Sequence, residues 1–185
     1  FLSLVFPPDA VSTAQIMGEL AVDLSERGHA VTVVTSAPHY NHDPEADVRQ
    51  PRQSLFGPIV RGSRFHGIPV YHAWMPRKSG TVVARLLGWL QFHIVSTIIS
   101  LVITRRPDVL IVPSPPLTIG LSAWLICLLR RARFVYNVQE IYPDIAVNLG
   151  ALRNRAAIRA LTRLERFVYA QAAVISVIVP RTCRD

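Results

Sequence analysis

Apolar residues along this chain come in short runs and in helical stripes that take turns almost from end to end. Phe1–Phe6 is an apolar run closed by Pro7-Pro8, and it predicts a buried strand. Ser12 stands three residues before Gln15, a capping-box spacing, ahead of Met17, Leu20, Ala21 and Leu24 at helical intervals. Gly28 follows Arg27 as a C-terminal cap, and Ala30–Thr35 predicts a second strand. Together these make a β-α-β unit, which closes with parallel strands.

The polar stretch His39–Gly57, with Pro44 and Pro51, predicts a long loop. Ile59–Arg64 and Ile68–Trp74 flank Phe65-His66-Gly67 and predict a hairpin. Val82–Thr104 predicts a long apolar helix. The alternation then resumes with a strand at Val109–Val112, a helix at Leu117–Leu129, a strand at Arg133–Val138, a helix at Asn154–Ala172 and a strand at Val174–Val179. Strands and helices in alternation predict an α/β fold: a parallel sheet covered by helices on both faces.

The 185 residues suit one domain, 1–185, and the chain reads as a fragment of a longer protein, since both ends fall at apolar runs. Half the residues are apolar and 17% are charged, enough to fill a core and too few charges for a disordered segment. The net charge is +8, and Lys78 is the single lysine, so the excess is arginine. Such a surplus suits phosphate, anionic lipid or nucleic acid. Cys127 and Cys183 form neither a zinc spacing nor a disulfide framework, which fits a reducing compartment.

Tyr136–Gly150 is chemically the richest stretch. The apolar run Phe134–Tyr136 passes into Asn137, Gln139, Glu140, Tyr142 and Asp144, and Pro143 turns the chain out of the sheet. Ligands of open α/β sheets sit outside the carboxyl ends of the strands, so these side chains are site candidates. Pro113–Thr118 also follows a strand. Its Ser114 and Thr118 would line the same crevice if the two strands are neighbours, their tips at Val112 and Val138 lying side by side. After the first strand, Asp9, Ser12 and Thr13 lie where a helix N-terminus attracts anions, although no G-x-G-x-x-G fingerprint is present. Glu140 and Asp144 are paired carboxylates suited to acid–base work, sugar hydroxyl binding or metal coordination. No G-x-S-x-G elbow supports a hydrolase. His39 and His42 follow the second strand within reach of a ligand, but each reads better as structural or solvated.

Leu86–Thr104 is a 19-residue stretch without a formal charge, close to the length of a spanning helix. However, His93, Ser96, Thr97, Ser100 and Thr104 form a polar stripe along it, and Gln91 also counts against spanning. The stripe favours a helix packed on a sheet or lying at an interface. Arg105-Arg106 and Arg130-Arg131 end two helices, and Arg155, Arg159, Arg163 and Arg166 line a third. An anionic membrane surface is therefore among the expected partners.

With these residues in place, the chain resembles the N-terminal domain of a family 4 glycosyltransferase of the GT-B type, in the bacterial polysaccharide-assembly branch. The resemblance rests on Phe6-Pro7-Pro8-Asp9, Gln15–Glu19, Ser25–Val33, Pro107-Asp108-Val109, Ser114–Thr118, Val138–Asp144 and Leu164–Phe167, in that order along nearly the whole chain. It implies a Rossmann-like domain forming the acceptor-side half of a two-domain enzyme, with the donor-binding C-terminal domain absent from this chain. It implies retaining transfer from a nucleotide-sugar, a co-substrate, to a glycan or polyprenyl-linked glycolipid acceptor. It further implies no bound metal, no other cofactor and a cytoplasmic site at the inner face of the membrane. The leaving phosphate of such enzymes helps take the acceptor proton, so Glu140 and Asp144, the expected catalytic residues, are expected to position acceptor hydroxyls or to complete the catalytic side of the cleft. Asp9, Ser12, Thr13, Ser114, Thr118, Asn137, Gln139 and Tyr142 are expected to bind substrate.

Two departures accompany the likeness. Ala10-Val11-Ser12-Thr13 stands where the family often has glycines, and Ser114-Pro115-Pro116 lacks a histidine some relatives carry, so no role passes to it. Two other functions compete. An epimerase-like enzyme that releases and re-adds nucleotide would need its own acid and base, and no convincing pair is visible. A non-catalytic anion-binding or nucleic-acid-binding module fits poorly, because the arginines sit among apolar helical positions and no aromatic-rich basic groove appears; nucleic acid is not an expected partner.

Overall fold

In the structure, a computed structural model that describes residues 1–39, 45, 48, 50–75, 82–140 and 154–177, the chain divides into two units, Phe1–Arg106 and Pro107–Asp185.

In the first unit, α1 (Ser12–Glu26) buries Ala14, Met17, Gly18 and Ala21; of the expected stripe Met17 and Ala21 are buried, while Leu20 and Leu24 are half-buried. Gly18 is needed for close approach: a Cβ there would lie 2.7 Å from Pro7 Cγ. The helix ends as expected. Gly28 takes φ +90, and its N–H and that of His29 bond back to Ser25 O and Leu24 O, both at 3.0 Å. The expected capping box does not form. Val11 is the N-cap, Ser12 is already helical, and the Gln15 N–H is taken by Val11 O at 3.1 Å.

Phe1–Phe6 is buried beside β1 (Val33–Ser36), but its pairing shrinks to a single parallel bridge, Leu2 to Val34. Backbone bonds from Ser3 N to Val34 O, Val34 N to Phe1 O and Ser36 N to Leu4 O hold it there, and Ser36 Oγ adds a second donor to Leu4 O. β1 pairs in parallel with β4 (Ile68–Ala73), which forms the expected hairpin with β3 (Val60–Phe65). The turn is His66-Gly67, with φ of 48 and 82, the double positive φ of a tight primed turn. β2 (Gln53–Phe56) adds an antiparallel edge, so His39–Gly57 is not all loop. Every residue of β2 is exposed, which leaves no apolar alternation to reveal it. The sheet order is β1-β4-β3-β2.

α2 (Val82–Val102) packs on β1 and β4 through Phe92 and Ile99. The polar stripe faces inward, with Ser96 and Ser100 buried. Burial costs these hydroxyls little, because Ser96 Oγ donates to His93 O at 3.4 Å and Ser100 Oγ to Ser96 O at 2.8 Å; Thr104 Oγ1 donates to Ser100 O at 2.8 Å in the same way. Burial also pushes the His93 imidazole from 6.5 down to about 4. Above pH 6.5 both states are neutral and nothing is lost; between 6.5 and 4 the unfolded chain takes a proton that the folded one refuses. Stability of this unit should therefore fall by about 2 kcal/mol on acidifying from neutrality to about pH 4.5. Urea unfolding at the two pH values, with His93→Gln showing a smaller drop, checks this.

The second unit is a parallel sheet, β5 (Val109–Ser114), β6 (Arg133–Val138) and β7 (Val174–Val177), in that spatial order, flanked by helices. α3 (Ile119–Arg130) packs on β5 and β6. Between β6 and β7 runs α4 (Arg155–Gln171), capped by Asn154 Oδ1, which accepts from Ala156 N at 2.8 Å. α3 and α4 meet where Gly120 faces Val168 and where Trp124 and Phe167 stack edge to face at 5.3 Å. Phe134, Tyr136 and Val138 alternate inward from β6. The elements of this unit fall within two residues of their expected places, apart from the strand end beyond Val177, which lies outside the described residues. The whole is a mixed, Rossmann-like α/β architecture.

Candidate functional site

The carboxyl edge of the second sheet is built by register. β5 and β6 are parallel neighbours with Val112 opposite Tyr136, Pro113 opposite Asn137 and Ser114 opposite Val138. Their tips therefore lie side by side, as expected. Ser114 is buried, and its Oγ accepts from Gln139 N at 3.4 Å. Gln139 Nε2 donates to Asn137 Oδ1 at 3.0 Å, and Asn137 Nδ2 donates to Ser176 Oγ at 2.8 Å. One polar chain thus crosses all three strands along their carboxyl edge, and Glu140, half-buried, follows at its end. Tyr142 and Asp144 lie outside the described residues.

Thr118 sits half-buried at the start of α3 and makes no side-chain cap. The first amides of that helix are already committed: Ile119, Gly120 and Leu121 N–H bond to Pro116, Leu117 and Thr118 carbonyls at 3.1 Å each. An anion at this helix start would have to displace those bonds. Beneath the edge, the Tyr136 hydroxyl is buried beside the Ser114 side chain. Burial pushes its pKa up to about 12, reinforced by Glu165 and opposed by the nearby Ser114 side chain.

The first unit has its own polar centre at the end of β1. Asp9 is buried, and its Oδ1 accepts from His39 N at 3.2 Å, which ties the first loop to the segment after β1. Ser12 is exposed and Thr13 half-buried in the first turn of α1. His39 is structural, its Nδ1 lying 2.9 Å from Ser36 Oγ and 3.2 Å from Ala37 O. His42 lies outside the described residues.

The pattern reading missed His72, which is buried in β4. Its Nδ1 lies 3.2 Å from Ser36 O and its Nε2 lies 2.7 Å from Ser63 Oγ. A carbonyl can only accept, so Nδ1 carries the proton, Ser63 donates to Nε2, and Gln50 Nε2 donates to Ser63 Oγ at 2.9 Å. One direction of donation satisfies the whole chain with a neutral imidazole. The available signal was period two: His72 shares the inward face of Ile68 and Val70.

Chemically, the edge of the second sheet offers amide donors and acceptors, hydroxyls and one carboxylate, a set that matches a neutral, hydroxyl-rich ligand better than a lone anion. Among the described residues, no three His, Cys, Asp or Glu side chains converge as a metal cluster. A parallel sheet whose strand tips gather such groups defines a Rossmann-like ligand-binding domain. A family model for the glycosyl transferase 4-like domain matches residues 13–184, and the chain belongs to that family. No curated protein matches the chain.

Proposed function

We propose that this chain is the N-terminal, acceptor-side domain of a retaining GT-B hexosyltransferase of bacterial polysaccharide assembly. The enzyme moves a sugar from a nucleotide-sugar to a glycan or polyprenyl-linked glycolipid, without a metal or nucleic-acid partner, at the cytoplasmic face of the membrane. Membership of the glycosyltransferase family carries this reading, and the hydroxyl-matching edge built by Ser114, Asn137 and Gln139 supports it. In the transfer, the bond between the anomeric carbon and the donor phosphate breaks and the acceptor oxygen bonds to that carbon. The acceptor proton passes to the leaving phosphate. In this reading Glu140 and Asp144 hold acceptor hydroxyls, and Tyr142, Thr118, Asp9, Ser12 and Thr13 bind substrate. Among the described residues, no helix is long and apolar enough to cross a membrane.

The test is nucleoside diphosphate release by the full-length protein from a panel of nucleotide-sugars, with and without a polyprenyl-phosphate-linked saccharide. Release that depends on the acceptor is expected; none with any donor overturns the proposal. Glu140→Gln should lower kcat/KM about ten- to a hundredfold, the loss of one charge-assisted hydrogen bond. The shape of the pH profile should be retained. A lost acidic limb would instead make Glu140 a general base.

A further inference from the structure

The first unit carries a surface that its own packing does not explain. Leu86, Leu90, Ile94, Ile98 and Val102 follow one another at four-residue steps on α2, opposite Phe92 and Ile99, and each is more than half exposed. The helix is thus apolar on both sides, while its polar stripe is turned to the sheet and satisfied by its own carbonyls. The apolar surface continues beyond the helix. Gln91 Nε2 donates to Trp74 O at 3.3 Å and Trp74 N to Ile59 O at 2.8 Å, which brings the exposed Trp74, Ile59 and Phe56 alongside. Contiguous apolar surface of this kind is rare on monomeric soluble proteins without a function.

Charge selects the occupant. No Asp or Glu occurs between Asp47 and Asp108, against nine Arg and Lys residues, and Arg105 and Arg106 stand exposed just past the helix. Two copies meeting through this face would set positive charge against positive charge. A layer of anionic headgroups over hydrocarbon complements both the arginines and the leucines, and tryptophan favours that boundary. We infer that α2 and the β2–β3 tip form a docking face for an anionic lipid bilayer. Phe92 and Ile99 hold the helix down on β1 and β4, so it lies along the interface instead of crossing it. This gives the membrane placement proposed above a surface. It is tested by lipid binding alone, without donor or acceptor, so either reading can fail without the other.

The full-length protein is sedimented with vesicles of phosphatidylcholine alone and of phosphatidylcholine mixed equally with phosphatidylglycerol. Co-sedimentation with the anionic vesicles is expected. The triple variant Leu90→Gln, Ile94→Gln, Ile98→Gln should lower the partition coefficient at least about tenfold. Arg105→Gln with Arg106→Gln should lower it on the order of tenfold, on anionic vesicles only. Far-UV circular dichroism should stay the same, because these side chains face solvent. Independently of any variant, lipids brominated in the acyl chain should quench wild-type tryptophan emission, and less so in Trp74→Phe. Wild-type protein left in the supernatant, or a triple variant that binds as well as wild type, overturns the inference. So does a triple variant that turns a dimer into a monomer in light scattering, since the face would then belong to a second copy.

Discussion

Replacing Gly120 by valine is expected to cost the second unit about 3 kcal/mol or more, the upper range for overpacking a tight contact. Gly120 lies in the first turn of α3, and a Cβ there would land on both methyls of Val168 in α4. Val168 is fully buried and β-branched, so its methyls cannot swing aside. The helices would have to separate, which also opens the Trp124–Phe167 contact between them. Helix propensity works the other way, since glycine is worse than alanine in a helix by about 1 kcal/mol, and the steric term wins. Urea unfolding of wild type, Gly120→Ala and Gly120→Val gives the ordering. In a Val168→Ala background, where space is available, Gly120→Ala should become neutral or stabilising. That sign reversal identifies the contact as the cause; an alanine that costs nothing in the wild-type background would refute it.

The same glycine shows what pattern reading can and cannot reach. The α3 stripe placed the helix at Leu117–Leu129, because apolar spacing reports which side is buried, but it does not report how closely two helices approach. Hairpin geometry was legible at Phe65-His66-Gly67 because a tight primed turn demands residues that tolerate positive φ. β2 was not legible, since an exposed edge strand is held by backbone pairing and leaves no mark on side-chain chemistry. The capping box failed for a related reason. Its spacing was present, but α1 begins one residue earlier than the box requires, so Ser12 is already inside the helix. In α2 the stripe of hydroxyls was visible, and its inward direction was not: serine and threonine can satisfy themselves on their own helix, so polarity alone does not point outward.

For the candidate site, Ser114, Asn137 and Gln139 could be grouped from sequence because two parallel strands in register deliver their ends together. Asp9 was singled out as a ligand contact, and in the fold its carboxylate is engaged with the His39 amide, a fact set by a loop-to-loop approach that no local pattern encodes. His72 escaped notice because a histidine on the apolar face of a strand resembles a core residue until its partners on β1 and β3 are known.

That histidine carries the other large expected effect. His72→Leu should destabilise the first unit by about 3 kcal/mol, although leucine is more apolar and of similar size. The Ser63 hydroxyl would lose its acceptor and the Ser36 carbonyl a donor, at about 1–3 kcal/mol for each buried group left unmade. Burying leucine returns about 2 kcal/mol at most. The loss concentrates on β4, which pairs with β1 through His72 opposite Thr35 and Ala73 opposite Ser36. Ser36 in turn holds His39, whose amide holds Asp9, so damage at His72 reaches the first loop through two hydrogen-bonded steps. Amide exchange of Ser36 and His39 should accelerate together with the fall in unfolding midpoint. His72→Gln, which keeps a donor and an acceptor, should lose roughly half as much. The decisive variant removes the side-chain partners as well: Gln50→Leu, Ser63→Ala and His72→Leu together should be more stable than His72→Leu alone, because of the groups in this chain only the Ser36 carbonyl is then left without its partner. If the triple variant is the weaker one, His72 stabilises the fold through packing, and the chain of donation from Gln50 to Ser36 is incidental.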